Sequence, residues 1–584
     1  MAENHTREHT TDLKKLLIYL KDSKKETVLA PLFKMTEAIF ELLVPLVVAS
    51  VIDVGIKNAD RGYVVSMCLL LAALGAAGLI LAVTAQYFAA KASAVFSKNV
   101  RHALFAHLQS LSFSEIDTIG TSTMINRLTS DVNQMQTGVN LFLRLLLRSP
   151  FVVFGAMIMA FTVNVRAAMV FVIAIPLLFA AVFAIILRSL PLYRDVQTEL
   201  DGVLGKTREN LSGTRVIRAF CKEAEEESEF RSKNEALTRL QNRVGRISAL
   251  LNPSTYVMIN LAVICLIWTG ALQVNAGSLS QGEVVALYNY MSQILVELIK
   301  MANLVITLTR SVASAGRVSA VLEVKSGLEE TLEEPQEKDT DTAVEFDNVG
   351  LRYEGDSENT LSGISLRVKK GETVGVIGGT GSGKTSLVNL VPRFYEATEG
   401  EVKVDGINVK DYPIKSLRMK IGVVPQNAVL FAGTVRDNIK WGSENATDEE
   451  IYKALEAAAA KDIFGAKDGL DYVIEQGGRN LSGGQRQRLT VARALVRKPE
   501  ILLLDDSSSA LDYATDAAMR RAIRELDYSP TVFIVSQRTS SIRNADKIVV
   551  LDDGRIVGIG THDALLESCP IYGEIHNSQI KAES

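Results

Sequence analysis

At 584 residues the chain is too long for one ordinary domain and points to two or three. With 47% hydrophobic and 22% charged residues it is too apolar for a purely soluble protein and too polar for a bundle lying wholly in lipid, the average expected of a membrane half joined to a soluble half. A net charge of -4 argues against a nucleic-acid partner.

The first dozen residues are polar and mixed in charge, unlike a cleavable signal peptide. Cys68, Cys221, Cys265 and Cys569 are scattered, with neither metal-ligand spacing nor a disulfide framework, as fits a reducing cytosol and a membrane. Asp12 to Lys21, DLKKLLIYLK, reads as a short amphipathic helix lying on the membrane surface. Six apolar segments follow, with cores at about 28–52, 64–89, 141–163, 167–187, 249–274 and 284–310. Each can supply the ~20 helical residues that cross a ~30 Å hydrocarbon layer. The outer connections, around Lys57–Gly62, Asn164–Arg166 and Asn275–Gln281, are short, and the two inner ones are long. Twelve Lys and Arg residues between Arg188 and Arg246 favour a cytosolic location for the inner side, with both termini there.

The inner connections keep a helical alternation of polar and apolar residues, so the membrane helices are expected to continue into the cytosol. Short breaks fall at Phe113–Thr121 (FSEIDTIGT) and Ser212–Phe220 (SGTRVIRAF). In this the chain resembles exporters whose breaks form coupling helices that dock on ATPase domains. Glu37 and Glu41 lie four apart near the middle of the first span and share a helix face. Ionised carboxylates are costly in hydrocarbon. The pair either lines a translocation cavity and favours cationic substrates, or hydrogen-bonds a neighbouring helix or sits in a wet part of the cavity wall. Arg144 and Arg148, near the inner edge of the third span, are expected to snorkel to headgroups.

Gly327–Thr342, GLEETLEEPQEKDTDT, is acidic and lacks an apolar period. It reads as a solvated linker whose charge serves only solubility. The boundaries are then a membrane domain over 1–325, a linker over 326–342 and a second domain over 343–584. In the last, ETVGVIGGTGSGKT runs from an apolar strand into Gly378, Gly379, Thr380, Gly381, Ser382, Gly383, Lys384, Thr385 and Ser386, where a helix opens. This is the phosphate loop G-x-x-x-x-G-K-[ST] in its strand–loop–helix setting. Its glycines let main-chain N–H groups face phosphates, and the helix start adds partial positive charge. Lys384 is expected to reach the β- and γ-phosphates of ATP, and Thr385 to bind Mg²⁺. Ile501–Asp506, ILLLDD, reads as a buried strand ending in Asp505, a second Mg²⁺ ligand.

Between these elements stands Leu481-Ser482-Gly483-Gly484-Gln485, which resembles the signature of ATP-binding-cassette ATPases. The resemblance covers almost the whole chain. It implies an all-α six-helix transmembrane exporter domain followed by an α/β P-loop nucleotide-binding domain. It further implies that the signature contacts the γ-phosphate of a nucleotide held by the opposite subunit. Tyr353 in LRYEG matches the aromatic that stacks on adenine. Gln426 in VVPQN matches the glutamine that senses Mg²⁺ and water, and Asp512 in SALD the loop that crosses the dimer interface. Glu475 in EQGGRN lies in the loop that meets the coupling helices.

Two positions depart from the family pattern. Asp506 stands where the family has a glutamate that polarises the attacking water, and Gln537, in IVSQR, where it has a γ-phosphate histidine. Aspartate is one methylene shorter and withdraws the carboxylate by roughly 1 Å, a misplacement that can cost ~10²-fold in rate. Glutamine donates a hydrogen bond but cannot become cationic. The combination implies a site that holds ATP and hydrolyses it slowly, and a homologous half-transporter as partner in a heterodimer, as in heterodimeric bacterial multidrug exporters. The expected setting is the cell membrane, with the ATPase domain in the cytoplasm and a small amphipathic substrate. A homodimeric lipid or peptide exporter and a non-transporting ATP-binding regulator are the competing readings.

Overall fold

The computed structural model describes residues 16–328, 331–336, 338–461 and 469–583. The chain forms two compact units. One comprises residues up to Gln109 together with Ser122–Val324, and the other Ser110–Thr121 together with Lys325 onward. Residues 110–121, read from sequence as part of the membrane half, thus pack with the second unit.

The described residues of the first unit form helices and their connections, with no strand. Among them six helices are long and apolar enough to cross a membrane: Leu17–Ile56, Arg61–Ser110, Thr121–Val163, Val165–Ser212, Glu223–Asn275 and Gln281–Glu323, here spans 1 to 6. Span 2 has 50 residues, which at ~1.5 Å per residue is roughly 75 Å, far more than the ~30 Å of hydrocarbon. The predicted continuation beyond the membrane is therefore present. Local signals start these helices where the sequence turns. Asn164 caps span 4 by accepting from the Ala167 N–H (3.0 Å), and Ser280 and Glu283 form a reciprocal capping box on span 6. Span 1 tolerates Pro31 and Pro45 and ends in a π-helical turn, Val51–Ile56. There Asp53 accepts from the Gly282 N–H (2.9 Å) and ties the start of span 6. A Cβ at Gly282 would meet the Ala49 carbonyl oxygen at 2.3 Å, so only glycine permits this approach. Large apolar side chains such as Leu79, Ile80, Phe154, Ile173 and Trp268 stay exposed, which is stable for a lipid-facing surface and not for one in water.

Residues 12–15 of the predicted amphipathic helix lie outside the described residues. Leu17–Ser23 is a 3₁₀ helix running into span 1 and held by Asn99 of span 2, which donates to the Tyr19 carbonyl (3.2 Å) and to Asp22 (2.8 Å).

The second unit contains a helix α1 (Phe113–Ile119), α2 (Lys384–Leu390), α3 (Gly483–Leu495), α4 (Tyr513–Arg524) and α5 (Pro570–Glu583). An antiparallel sheet has the order β2-β1-β4-β5, where β1 is Thr342–Leu351, β2 Leu361–Lys369, β4 Glu399–Val404 and β5 Ile407–Asn408. The larger sheet has the order β12-β11-β3-β10-β9-β6. Its strands are β3 (Thr373–Gly378), β6 (Ile421–Val424), β9 (Ile501–Asp505), β10 (Thr531–Val535), β11 (Lys547–Asp552) and β12 (Arg555–Gly560), and a separate antiparallel pair is formed by β7 (Gly433–Thr434) and β8 (Val473–Ile474). All neighbours are parallel except β11 and β12. Strands β3, β9 and β10 are buried throughout, which accounts for their continuous apolar runs. The linker is not free chain among its described residues. Thr331 donates to the Lys410 carbonyl (3.1 Å), Lys338 to the Gly406 carbonyl (3.1 Å), and Ser416 to Glu334. Its polar side chains pin it to the ATPase unit, a role beyond the solubility expected from sequence.

Candidate nucleotide site

Parallel pairing sets the site. Val535 at the end of β10 is level with Val376 of β3 and with Asp505 of β9, and Val424 of β6 with Leu504. The carboxyl ends of four strands therefore open on one edge, where ligands bind in sheets of this kind. The loops leaving them carry the phosphate loop, Gln426, Asp505–Asp506 and Gln537. These sequence-predicted residues, 159 positions apart between Gly378 and Gln537, gather at one edge because strand order differs from chain order.

The phosphate loop curls between β3 and α2. Gly381 and Gly383 have φ of +85° and +91°. A Cβ at Gly378 would lie 2.1 Å from the Leu551 carbonyl oxygen, whereas Gly379 and Gly381 face open space. The loop is thus a main-chain cradle that side chains would fill, as a phosphate ligand requires. Lys384 is buried and donates to the carbonyls of Gly378 (3.0 Å) and Gly379 (2.6 Å). Burial lowers its pKa, while Asp506 and Asp505 pull the other way. The Thr385 hydroxyl donates to Asp505 (3.1 Å), so two hard oxygens sit side by side as Mg²⁺ prefers. Burial raises the Asp505 carboxyl above its ordinary value, and the neighbouring Asp506 charge adds to this.

At Asp506 the chain turns out of β9 with φ +44°, a left-handed conformation that aspartate tolerates. Its N–H donates to the Val535 carbonyl (3.0 Å), fixing the turn against β10. Burial raises the pKa of the Asp506 carboxyl. Arg538, Lys384 and a hydrogen bond from Gln426 oppose this. Gln537 follows β10 at the same strand-end edge with its side chain exposed, while its carbonyl accepts from Gln579 of α5.

Two family models match the chain: the ABC transporter transmembrane region over residues 27–298 and the ABC transporter domain over residues 361–509. An uncharacterised ABC transporter ATP-binding protein of Mycobacterium bovis is 36% identical over 94% of this chain and 95% of its own length. The chain is an ABC exporter half-transporter. An ATP-dependent lipid A-core flippase of Desulfotalea psychrophila is 34% identical (82% of this chain, 84% of that protein), and a putative multidrug export ATP-binding/permease protein of Bacillus subtilis 32% (95% and 97%). The fold matches a bacterial Atm1-family ABC exporter solved with ATP bound, with a TM-score of 0.80 at 23% identity, covering 95% of this chain and 99% of the other.

The exporter's signature lies apart from the strand-end cluster in the chain and opens α3. Ser482 caps that helix through a box with Gln485, Leu481 is buried, and Ser482 and Gly483 are exposed. A Cβ at Gly484 would come within 3.0 Å of the Ala510 carbonyl oxygen, so glycine lets the start of α3 pack closely on the main chain at Ala510. Asp512 is exposed and also caps α4 by accepting from the Thr515 N–H (2.9 Å). Glu475 is exposed. Tyr353 is half-buried, its hydroxyl paired with Ser386 (2.8 Å) and its ring edge-on to Tyr395 (5.0 Å). Tyr395 donates to Asp117 (2.6 Å), and Phe113 packs on Phe394 (4.6 Å). Helix α1 is thereby joined to the residue after Thr385 through Asp117, Tyr395, Tyr353 and Ser386. Sequence reading missed Tyr395, which belongs to no motif, and gave no role to Arg538, although it closes the IVSQR stretch.

In the membrane unit, the expectation that Arg148 snorkels is overturned. It is 5% exposed and donates to Glu41 (2.6 Å) and Glu297, which also accepts from Ser149 (2.9 Å). A buried guanidinium facing two carboxylates is paired where it stands and has no reason to reach headgroups. Nε of Arg144 is buried without a hydrogen-bond partner among the described residues. Glu37 pairs with Lys34 (2.5 Å) and has an oxygen 4.0 Å from Arg148. Both glutamates are therefore ion-paired: Glu41 hydrogen-bonds a neighbouring span, an alternative to cavity lining read from sequence, whereas Glu37 pairs chiefly with Lys34 of its own helix.

Proposed function

We propose that this half-transporter is the degenerate-site subunit of a heterodimeric exporter of small amphipathic compounds. The observation that carries the reading is the joint position of Asp506 and Gln537 beside an otherwise complete phosphate loop. Both substitutions fall at one strand-end edge with Lys384, Thr385, Asp505 and Gln426. This supports binding of ATP with Mg²⁺ held by Thr385, Asp505 and Gln426, and slow hydrolysis. Bound Mg²⁺ would neutralise phosphate charge. Lys384 orients the phosphates, Gln426 and Arg538 orient the Asp506 carboxylate, and Gln537 offers the γ-phosphate a neutral donor. Tyr353 supplies an aromatic surface for adenine.

The exposed Ser482 and Gly483 support a signature that completes the partner's nucleotide site, with Asp512 at the interface. Apolar Val216 and Phe220 flank or lie in the short helix Thr214–Ala219 and are exposed. They fit a second coupling helix that docks on the partner's ATPase unit. A receiving surface of matching chemistry exists on this chain: Phe431 and Trp441 stack at 4.3 Å and both are exposed. ATP binding closes the two ATPase units and switches the cavity outward, by no more than its differential affinity for the closed state. Hydrolysis at the partner's site reopens it.

The test is repair. Asp506→Glu with Gln537→His is expected to raise hydrolysis at this site, read as single-site turnover beside a partner whose own catalytic glutamate is Gln. Unchanged turnover defeats the degenerate-site reading. The likeness to a lipid A-core flippase favours one competing reading, a homodimeric lipid exporter, and scrambling of labelled lipid by the chain alone would establish it.

A further inference from the structure

We propose that Gln579 and His576, on the C-terminal helix α5, are positioning residues that aim Gln537 at the γ-phosphate. The inference rests on the reading of Gln537 as the γ-phosphate contact.

The loop after β10 is held from two sides. On the inner side the Ser536 N–H donates to the Val376 carbonyl (3.1 Å), and the Arg538 N–H to the Ser536 hydroxyl (3.0 Å). On the outer side a single side chain bridges both flanks of the turn. Gln579 Nε2 donates to the Gln537 carbonyl (2.6 Å), and Gln579 Oε1 accepts from the Thr539 N–H (2.9 Å) and the Thr539 hydroxyl (2.9 Å). The amide orientation is forced, since a flipped group would set its NH₂ against the Thr539 N–H. The Thr539 hydroxyl has one proton and gives it to Gln579. It therefore accepts from His576 Nδ1 (3.0 Å), which fixes that tautomer.

The clamp stands on a rigid base. Tyr572 is fully buried and its hydroxyl pairs with His562 Nδ1 (2.7 Å), while Ile571 and Ile575 pack on the core of the ATPase unit. The His576 ring lies edge-on to His562 at 5.0 Å. Helix α5 is thus part of the fold, and Gln579 and His576 have fixed places from which to hold the loop.

Position matters more for glutamine than for the histidine it replaces. A cationic ring attracts phosphate from any direction, whereas a neutral amide acts only through a hydrogen bond that weakens steeply off its axis. Fixing the Gln537 carbonyl and both flanks of the turn leaves only the side-chain torsions of Gln537 to be ordered when ATP binds. The same clamp sets the start of Arg538, whose charge acts on Asp506.

The test uses the full-length chain in nanodiscs, with equilibrium binding of AMP-PNP and of ADP, each with Mg²⁺. Gln579→Ala and Gln537→Ala are each expected to weaken AMP-PNP binding about three- to tenfold, the range for one or two lost hydrogen bonds, and to leave ADP binding within about twofold. The double variant should be no weaker than Gln537→Ala alone. His576→Ala should shift the ratio in the same direction by less, and His576→Asn, whose amide nitrogen reproduces Nδ1, should restore it. If Gln537→Ala shifts the ratio and neither Gln579→Ala nor His576→Ala does, the positioning role is wrong. Equal weakening of both nucleotides also overturns it, because that marks a merely structural helix. If Gln537→Ala itself leaves the ratio unchanged, the γ-phosphate reading falls and the proposal falls with it.

Discussion

Asp506 carries two consequences that can be measured apart from transport. Its carboxyl has a pKa raised by burial, so the folded chain holds that proton more tightly than the unfolded chain does. Stability linked to this group is then full at low pH. It falls as pH rises from the ordinary aspartate value, about 3.9, through the raised one. At neutral pH and without nucleotide, Asp506→Asn should therefore raise the Tm of the ATPase unit, and the gain should shrink near pH 4. A lower Tm at neutral pH would contradict the electrostatic account. The catalytic consequence has the opposite chemistry: Asp506→Glu restores the missing methylene, and with Gln537→His the site should turn over faster by up to about 10²-fold. Both departures were legible in the sequence because each occupies a fixed motif position. Gln579 and His576 were not, since no motif ties a C-terminal helix to the loop after β10.

Helices and loops show the limit of periodicity more sharply. The six spans and the strand before the phosphate loop could be read from apolar runs and glycines. The burial of Arg148 could not, because its partner Glu297 lies 149 positions away on another span. Spacing alone pairs Arg148 with Arg144 and invites a snorkelling account. The structure makes Arg148 a tie between spans 1, 3 and 6. Removing one member of a buried ion cluster strands the others, so Arg148→Met should destabilise the membrane unit by about 3–5 kcal/mol. Glu297, 2% exposed, would be left with Ser149 and Lys300 alone. Because Glu37 and Glu41 are already paired, Glu37→Gln with Glu41→Gln should leave the preference between cationic and neutral dyes unchanged. A selective loss of cation transport would restore them as substrate ligands. The short helix Thr214–Ala219 makes a separate demand. Phe220 is 73% exposed and Trp441 64%, as expected of aromatic anchors awaiting a partner. In the assembled exporter, Phe220→Ala should cut transport more than ATP turnover. Equal losses would argue against a transmitting role.

For the whole molecule, the family, the two-part architecture and the ATPase chemistry followed from motifs whose order leaves little freedom. What those motifs do in an assembly depends on a second chain. On the proposed reading, the signature that opens a helix with exposed Ser482 and Gly483 serves a nucleotide held by the partner, and Asp506 and Gln537 slow hydrolysis at this chain's own site. Both features are explained together if the chain lends its signature to a better catalyst. Whether this chain is a catalyst in its own right is decided by ATP turnover of the purified chain in nanodiscs, alone and co-purified with a homologous half-transporter that has glutamate and histidine at the positions of Asp506 and Gln537. Slow turnover is expected of the chain alone and robust turnover of the pair. Turnover by the chain alone that equals the pair's would contradict the degenerate-site reading.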